Sequence, residues 1–230
     1  MTVPATRQRL DRLLASHGLI CRGVVPLEQN AEASRQAGFA VRSVALIGHV
    51  GGQFWSGFEA WWQRHPEASE PLDSWSVEII TSVAPQIGGF AVFPSDGPPY
   101  WPFQTWARQA EPLTVSPLKL LIHSDYGVWH AYRGAVLLPD TAADAVSEAT
   151  SPCLTCIDQP CLNTCPVAAV SQDDFAALAC AAHLQTEPEA SCAVGGCIAR
   201  RACPVGPGFQ YSAAQMVFHQ SAFVAVRGPD

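Results

Sequence analysis

The chain has 230 residues, 48% of them hydrophobic and 14% charged, with 13 basic against 20 acidic side chains and a formal net charge of −7. This composition excludes a disordered polyelectrolyte and supplies apolar surface for one large core or two small ones. Arg200–Arg201 is the one basic run, so phosphate tracking on nucleic acid is not expected, and no apolar run reaches the roughly 18 residues of a membrane span.

The first element reads as an amphipathic helix over 5–17, with Leu10, Leu13 and Leu14 on one face and Gly18 as its stop. It lacks the apolar segment and cleavage site of a signal peptide, and a cytoplasmic location is expected. A short strand over 19–25 ends at Pro26. A helix over 27–37 is capped by Gly38. A stronger strand over 41–50 runs into Gly51-Gly52. The next helix, 54–64, repeats Trp55, Phe58, Trp61 and Trp62 at three- and four-residue spacing. Such a stripe is either a packed face or an aromatic wall for a flat cofactor.

A polar turn over 69–73 precedes a helix over 75–84, a strand over 89–93 and a proline- and glycine-rich loop over 94–100. A short helix covers 104–109. Residues 118–123 read as a strand or a short helix, 124–127 as a turn, and 130–138 as a buried strand ended by Pro139. Strand and helix signals alternate through this half, which predicts a layered α/β or α+β architecture. His123, before Tyr126-Gly127, suits a ligand facing a pocket or a satisfied turn histidine. Arg133 stands inside an apolar run and needs an anionic or carbonyl partner: a ligand carboxylate or phosphate, or Asp96 or Asp125.

The alanine-rich, acidic stretch 141–150 separates the halves, giving domains over 1–145 and 146–230. Beyond it, a helix is expected from Ser171, with Ser171-x-x-Asp174 as a capping-box-like opening, Phe175 on its face and Cys180 within it. A last helix covers 212–226.

Eight of the nine cysteines lie between Ser151 and Gly206, as Cys153-x2-Cys156-x4-Cys161-x3-Cys165-Pro166, a lone Cys180, and Cys192-x4-Cys197-x5-Cys203-Pro204. In a reducing compartment, clustered cysteines more often hold metal than form disulfides. In two-cluster ferredoxins the cysteine before proline serves the other cluster. That rule assigns Cys153, Cys156, Cys161 and Cys203 to one [4Fe–4S] cluster. Cys165, Cys180, Cys192 and Cys197 go to a second, so each cysteine of the block is used once. Two zinc sites, a single cluster with spare thiols, or disulfides are the other uses of eight cysteines; the Cys-Pro endings favour clusters. Gly195 and Gly196 allow close backbone approach to sulfur, and Arg200 and Arg201 add positive potential. Cys21, beside Ile20 and Val24, reads as a small buried apolar residue.

Cys180-Ala-Ala-His-Leu184, followed by Cys192-x4-Cys197-x5-Cys203-Pro204, resembles the C-terminal cluster domain of the cobalamin-dependent epoxyqueuosine reductases. Reductive dehalogenases combine a corrinoid core with two clusters in the same order. The stretch from Ile122 to Pro139 is similar to the His-Pro-x-aromatic-Gly-x-Trp segment of CblC-type cobalamin-processing proteins, with Ser124 in place of the proline and His130 in place of an aromatic. The resemblance implies an α+β fold: a nitroreductase/CblC-like α/β core followed by a ferredoxin-like module with two [4Fe–4S] clusters. It also implies a corrinoid, cobalamin, and by position carries its pocket over to His123, Tyr126, Gly127, Trp129 and Arg133. No segment matches the catalytic region of the epoxyqueuosine reductases, so that activity is not expected. CblC-type proteins carry no clusters.

The function expected is an oxidoreductase that takes electrons from a donor protein through the clusters to a cofactor or small-molecule substrate in the first domain, with a corrinoid favoured. The alternatives are a ferredoxin-like electron carrier and a cluster-bearing binding module.

Overall fold

The computed structural model describes residues 3–28, 30–140, 144 and 148–227. Most of the separating stretch expected over 141–150, with its boundary at 145, lies outside the described residues. In chain order the elements are α1 (Val3–Leu14), β1 (Ile20–Pro26), α2 (Ala31–Ala37), β2 (Ser43–Val50), α3 (Trp55–Arg64), α4 (Pro71–Val83), β3 (Phe90–Val92) and α5 (Phe103–Ala110). There follow β4 (Thr114–Val115), β5 (Leu121–Ile122), β6 (His130–Leu138), α6 (Pro160–Asn163), α7 (Ala177–Thr186), α8 (Ser191–Gly195), α9 (Ile198–Arg201) and α10 (Ala213–Arg227). Among the described residues no helix is long and apolar enough to cross a membrane.

The chain divides into two compact units, one from Met1–Pro112 with His130–Glu148, the other from Leu113–Trp129 with Ala149–Asp230. The segment 113–129 therefore belongs with the cysteine block and not with the helices and strands that precede it.

The first unit is built on a four-stranded antiparallel sheet in the order β1-β2-β6-β3. Every residue of β2 is buried, Ser43 and His49 included, which is why its sequence shows no alternation of apolar and polar side chains. The aromatic stripe of α3 is a packed face: Trp55, Phe58 and Trp61 are buried, and Phe54 and Phe58 lie 5.5 and 5.9 Å from Trp75 of α4. The wall for a flat cofactor is not needed to explain it. Helix α4 begins at Pro71, inside the expected turn, because a proline at the first helical position gives up only an N–H that has no helical partner.

Two bulges shape the sheet. Cys21 pairs with Ile47 and Gly23 with Leu46, leaving Arg22 as the extra residue of β1. Gly134 pairs with Ile47 and Tyr132 with Gly48, leaving Arg133 as the extra residue of β6. A bulge re-aims a side chain, and the two arginines end differently. Arg22 is 1% exposed and turns into the unit. Its guanidinium lies 2.8 Å from the Glu111 carboxylate, donates to the His49 carbonyl at 3.0 Å and sits 5.1 Å above the Tyr132 ring. Tyr132 closes the network by donating its hydroxyl to Glu111. Burial, then the Glu111 carboxylate, pushes that phenol far up. Gly23, at φ +141 and against Ala110, completes the bulge where a Cβ would collide.

Arg133 meets Asp73 at 3.8 Å and donates to its neighbour's Tyr132 carbonyl. Asp96, one of the carboxylates expected for it, accepts the Phe93 N–H.

Removing one member of a buried ion pair strands the other, a loss of about 3–5 kcal/mol, whereas replacing both with apolar side chains costs far less. Glu111→Ala is expected to lower the unfolding free energy of the first unit by about 3 kcal/mol. The double variant Arg22→Met/Glu111→Leu is expected to recover most of it. Urea denaturation followed by tryptophan fluorescence checks both.

Candidate functional site

The second unit holds the short β4–β5 pair and helices α6–α10 and is organised around its cysteines. Its core is Leu118, Ile122, Val128, Trp129, Val170, Ala199, Tyr211 and Met216, with Cys153, Cys161, Cys165, Cys197 and Cys203 packed against it. Cys153 lies in the 3-10 turn Pro152–Thr155, Cys161 in α6, Cys180 in α7 and Cys192 in α8, while Cys197 caps the start of α9. The helix expected from Ser171 starts instead at Ala177. Val170 pairs with Phe175, and the Ser171 hydroxyl is used within that loop, donating to the Asp174 carbonyl and accepting the Asp174 N–H. A hydroxyl satisfied inside its own turn cannot open a helix.

All nine cysteines are free thiols. Burial raises the Cys161 pKa, and Cys203, Cys153 and Cys156 raise it further by their charge. Burial lifts Cys180 to about 11, with Cys197, Cys165 and Cys192 adding to the effect. Cys203 is raised by burial and by Cys153 and Cys156; Cys197 by burial and by Cys192 and Cys165. Backbone donors oppose this. The Arg200 and Ala199 N–H groups point at the Cys197 sulfur, the Val205 N–H at Cys203, and the Ala169 N–H reaches Cys165 Sγ at 3.3 Å. Such donors stabilise charge on sulfur. Among the described residues no three His, Cys, Asp or Glu side chains converge on a point that would hold a single metal ion. A mononuclear zinc site requires that convergence, with Zn–S near 2.3 Å.

One cavity is bounded by Cys153, Cys156, Cys161 and Cys203, with only uncharged side chains completing its wall. A second, of about 270 Å³, is bounded by Cys180 and Cys197 together with Arg200, His219, Gln220 and a mostly apolar wall that includes Phe175 and Phe223.

Arg200 is the central side chain of this unit. Its guanidinium lies 4.7 Å from the ring centroid of Trp129 and 4.7 Å from that of Tyr211, between the two, and donates to the Val128 carbonyl. Its Nε is buried without a hydrogen-bond partner. Among the described residues no carboxylate lies within ion-pair distance of it. Arg201, next in the chain, is exposed and donates to the Gly195 carbonyl at 3.3 Å.

The corrinoid-pocket candidates fall in both units. Trp129 is 0% exposed and spent on Arg200 and Tyr211. Gly127, at φ +58, packs where a Cβ would run into the Val205 carbonyl, and Gly206 comes equally close to Tyr126. These contacts fasten the 122–129 segment to the loop after Cys203. His123 is buried, accepts the Asp125 N–H on Nδ1 at 3.0 Å and stacks on Tyr126 at 4.3 Å. Arg133 belongs to the first unit. The five positions therefore do not make up one wall within either unit.

Two residues escaped the sequence reading. Arg22 carries the same Arg-Gly signature inside an apolar strand as Arg133, and a glycine in a strand is a bulge signal. Tyr211 sits in a glycine- and proline-rich approach to α10 with no periodic pattern to mark it.

No family model matches the chain, and no curated protein matches it. Among solved structures, the fold is similar to that of a B12-trafficking protein CblC from C. elegans, a homologue of human MMACHC. The match has a TM-score of 0.57 and 15% sequence identity, and covers 97% of this chain and 93% of that one. The chain has a CblC-like mixed α/β fold. At that identity the likeness speaks of fold alone.

One outcome tests the site, and one the burial of the ninth cysteine in the first unit. Gly127→Ala is expected to loosen the 197–209 loop and to raise hydrogen exchange there and in 122–129, leaving β1, β2 and β6 unchanged. Burial pushes the Cys21 thiol up to about 12, so it stays protonated and inert at pH 8. Iodoacetamide applied to the folded protein should leave Cys21 unmodified by mass spectrometry, and applied after denaturation should label it.

Proposed function

We propose that this protein is an iron–sulfur oxidoreductase with two [4Fe–4S] clusters. One would be held by Cys153, Cys156, Cys161 and Cys203, the other by Cys165, Cys180, Cys192 and Cys197. The observation that carries the reading is the crowding of the thiols: Cys153, Cys156, Cys161 and Cys203 line one cavity and Cys180 and Cys197 another, with Cys165 and Cys192 close enough to Cys180 to raise its pKa. Four neighbouring thiols can lose their protons together only around a cationic centre.

When bound, clusters of this kind supply one electron at a time. The chain's own part is to hold the thiols in place, to aim the N–H groups of Ala169, Ala199, Arg200 and Val205 at sulfur, and to shield the sites with apolar side chains. We place the acceptor with the sheet-bearing unit and favour a corrinoid. Support comes from the CblC-like fold, whose solved relative is titled a B12-trafficking protein. No ligand contact is assigned to His123, Tyr126, Gly127, Trp129 or Arg133, since Gly127 and Trp129 are taken up by packing and His123 by its turn. The electron source is a donor protein in a reducing compartment such as the cytoplasm.

A second reading is a carrier without its own substrate. It is favoured by Leu154 and Ile157, which stand 82% and 96% exposed beside Cys153 and Cys156, as an apolar tip for a redox partner.

Anaerobic reconstitution is expected to give about eight iron and eight acid-labile sulfide per chain, falling to about four of each in Cys156→Ala. Zinc in place of iron, or about four iron in the unaltered chain, refutes the two-cluster assignment. Cobalamin added to the reduced protein is expected to change its visible spectrum; an unchanged spectrum with clusters present leaves the carrier reading.

A further inference from the structure

We infer that Arg200 is the counter-cation of the cluster held by Cys165, Cys180, Cys192 and Cys197, and that it makes this cluster the higher-potential member of the pair. The inference rests on the two-cluster reading above. Arg200 carries a positive charge between two aromatic rings, with one carbonyl as acceptor and a buried, unpartnered Nε. A guanidinium so placed lacks an anion. The wall it shares with Cys180 and Cys197 is where thiolates carrying iron would bring net negative charge. Arg200 is also tied to that foursome through its backbone, whose N–H points at the Cys197 sulfur.

The two foursomes differ in just this respect. Around Cys153, Cys156, Cys161 and Cys203 the cavity wall carries no charged side chain. Lys119 stands exposed on the outer side of Cys153 with its ammonium on the Gln172 carbonyl, where water and salt screen it, and Arg200 meets this cavity's wall only behind Val128, at its carbonyl. A cation fixed in a mostly apolar wall favours the reduced, more negative state of its neighbour. With both clusters bound, an electron on the first would move downhill to the second, oxidising the one and reducing the other by a single electron. Arg200 is a positioning residue for that transfer. Trp129 and Tyr211 hold it, which gives Trp129 a role within its own unit.

The test is an anaerobic redox titration of the reconstituted full chain, followed by electron paramagnetic resonance, in a Cys156→Ala background where only the second cluster remains. Arg200→Met is expected to shift the redox equilibrium of that cluster at least tenfold toward the oxidised form, 59 mV for one electron. Arg200→Lys, which keeps the charge, is expected to restore most of the shift. Arg201→Met is expected to change nothing, and His219→Gln measures the other ionisable side chain on the wall. Should Arg200→Met not retain iron, the lysine variant decides: iron and potential near those of Arg200 support the assignment, and a defect as deep as that of methionine overturns it. An unshifted potential in Arg200→Met overturns this inference while the clusters stand. A chain that binds no iron overturns both.

Discussion

Thiols packed side by side resist ionisation together, and the second unit is arranged around that constraint. Each sulfur that loses a proton raises the cost for its neighbours, and burial raises it again. The fold answers with backbone donors at Cys165, Cys197 and Cys203 and with one fixed cation at Arg200. These are partial remedies: an N–H dipole offsets a fraction of a charge, and a ring face is worth about 1–2 kcal/mol to a cation. On the iron–sulfur reading proposed above, a metal core would complete the balance. Without it, the unit would hold eight crowded thiols and an arginine with no anion.

The same logic separates the buried Arg22 from the half-buried Arg200. Arg22 has its carboxylate in Glu111 and is therefore complete, a structural ion pair with a phenol closing the far side. Arg200 has aromatic rings where Arg22 has a carboxylate. A cation placed against π-faces keeps its charge available to a third party, whereas one in a salt bridge has already spent it.

Much of the first unit could be read locally. β6 runs from His130 to Leu138 as the apolar stretch before Pro139 predicts, and Gly38 ends α2 in the left-handed conformation. What could not be read were relations between distant residues. Gly127 announces a turn, but nothing near it announces Val205, which requires the glycine. Arg133 draws attention as a charge in an apolar run, yet it reaches Asp73 near the surface, and Arg22 is the one turned inward, because a bulge decides which way each side chain points. Ser171 has the spacing of a helix cap and spends its hydroxyl within its own loop. For the site, the spacing of the cysteines suggested the foursomes, while the aromatic clamp on Arg200 joins residues 129, 200 and 211, which no local pattern connects.

The division of the chain has a consequence for how the protein is made. Leu113–Trp129 leaves the ribosome before any cysteine of the block, yet its packing partners, Ala199, Tyr211 and Met216 among them, come some seventy residues or more later. β6, which pairs with both β2 and β3, follows immediately on Trp129. The sheet can thus close during synthesis while the segment just before it waits, with Trp129 and Ile122 uncovered, for the rest of the second unit. Any iron-loading step belongs after that wait. For the same reason the cysteine block cannot be cut out at residue 145 and moved as a cassette: the fragment would leave behind the strand pair and the tryptophan on which its arginine rests.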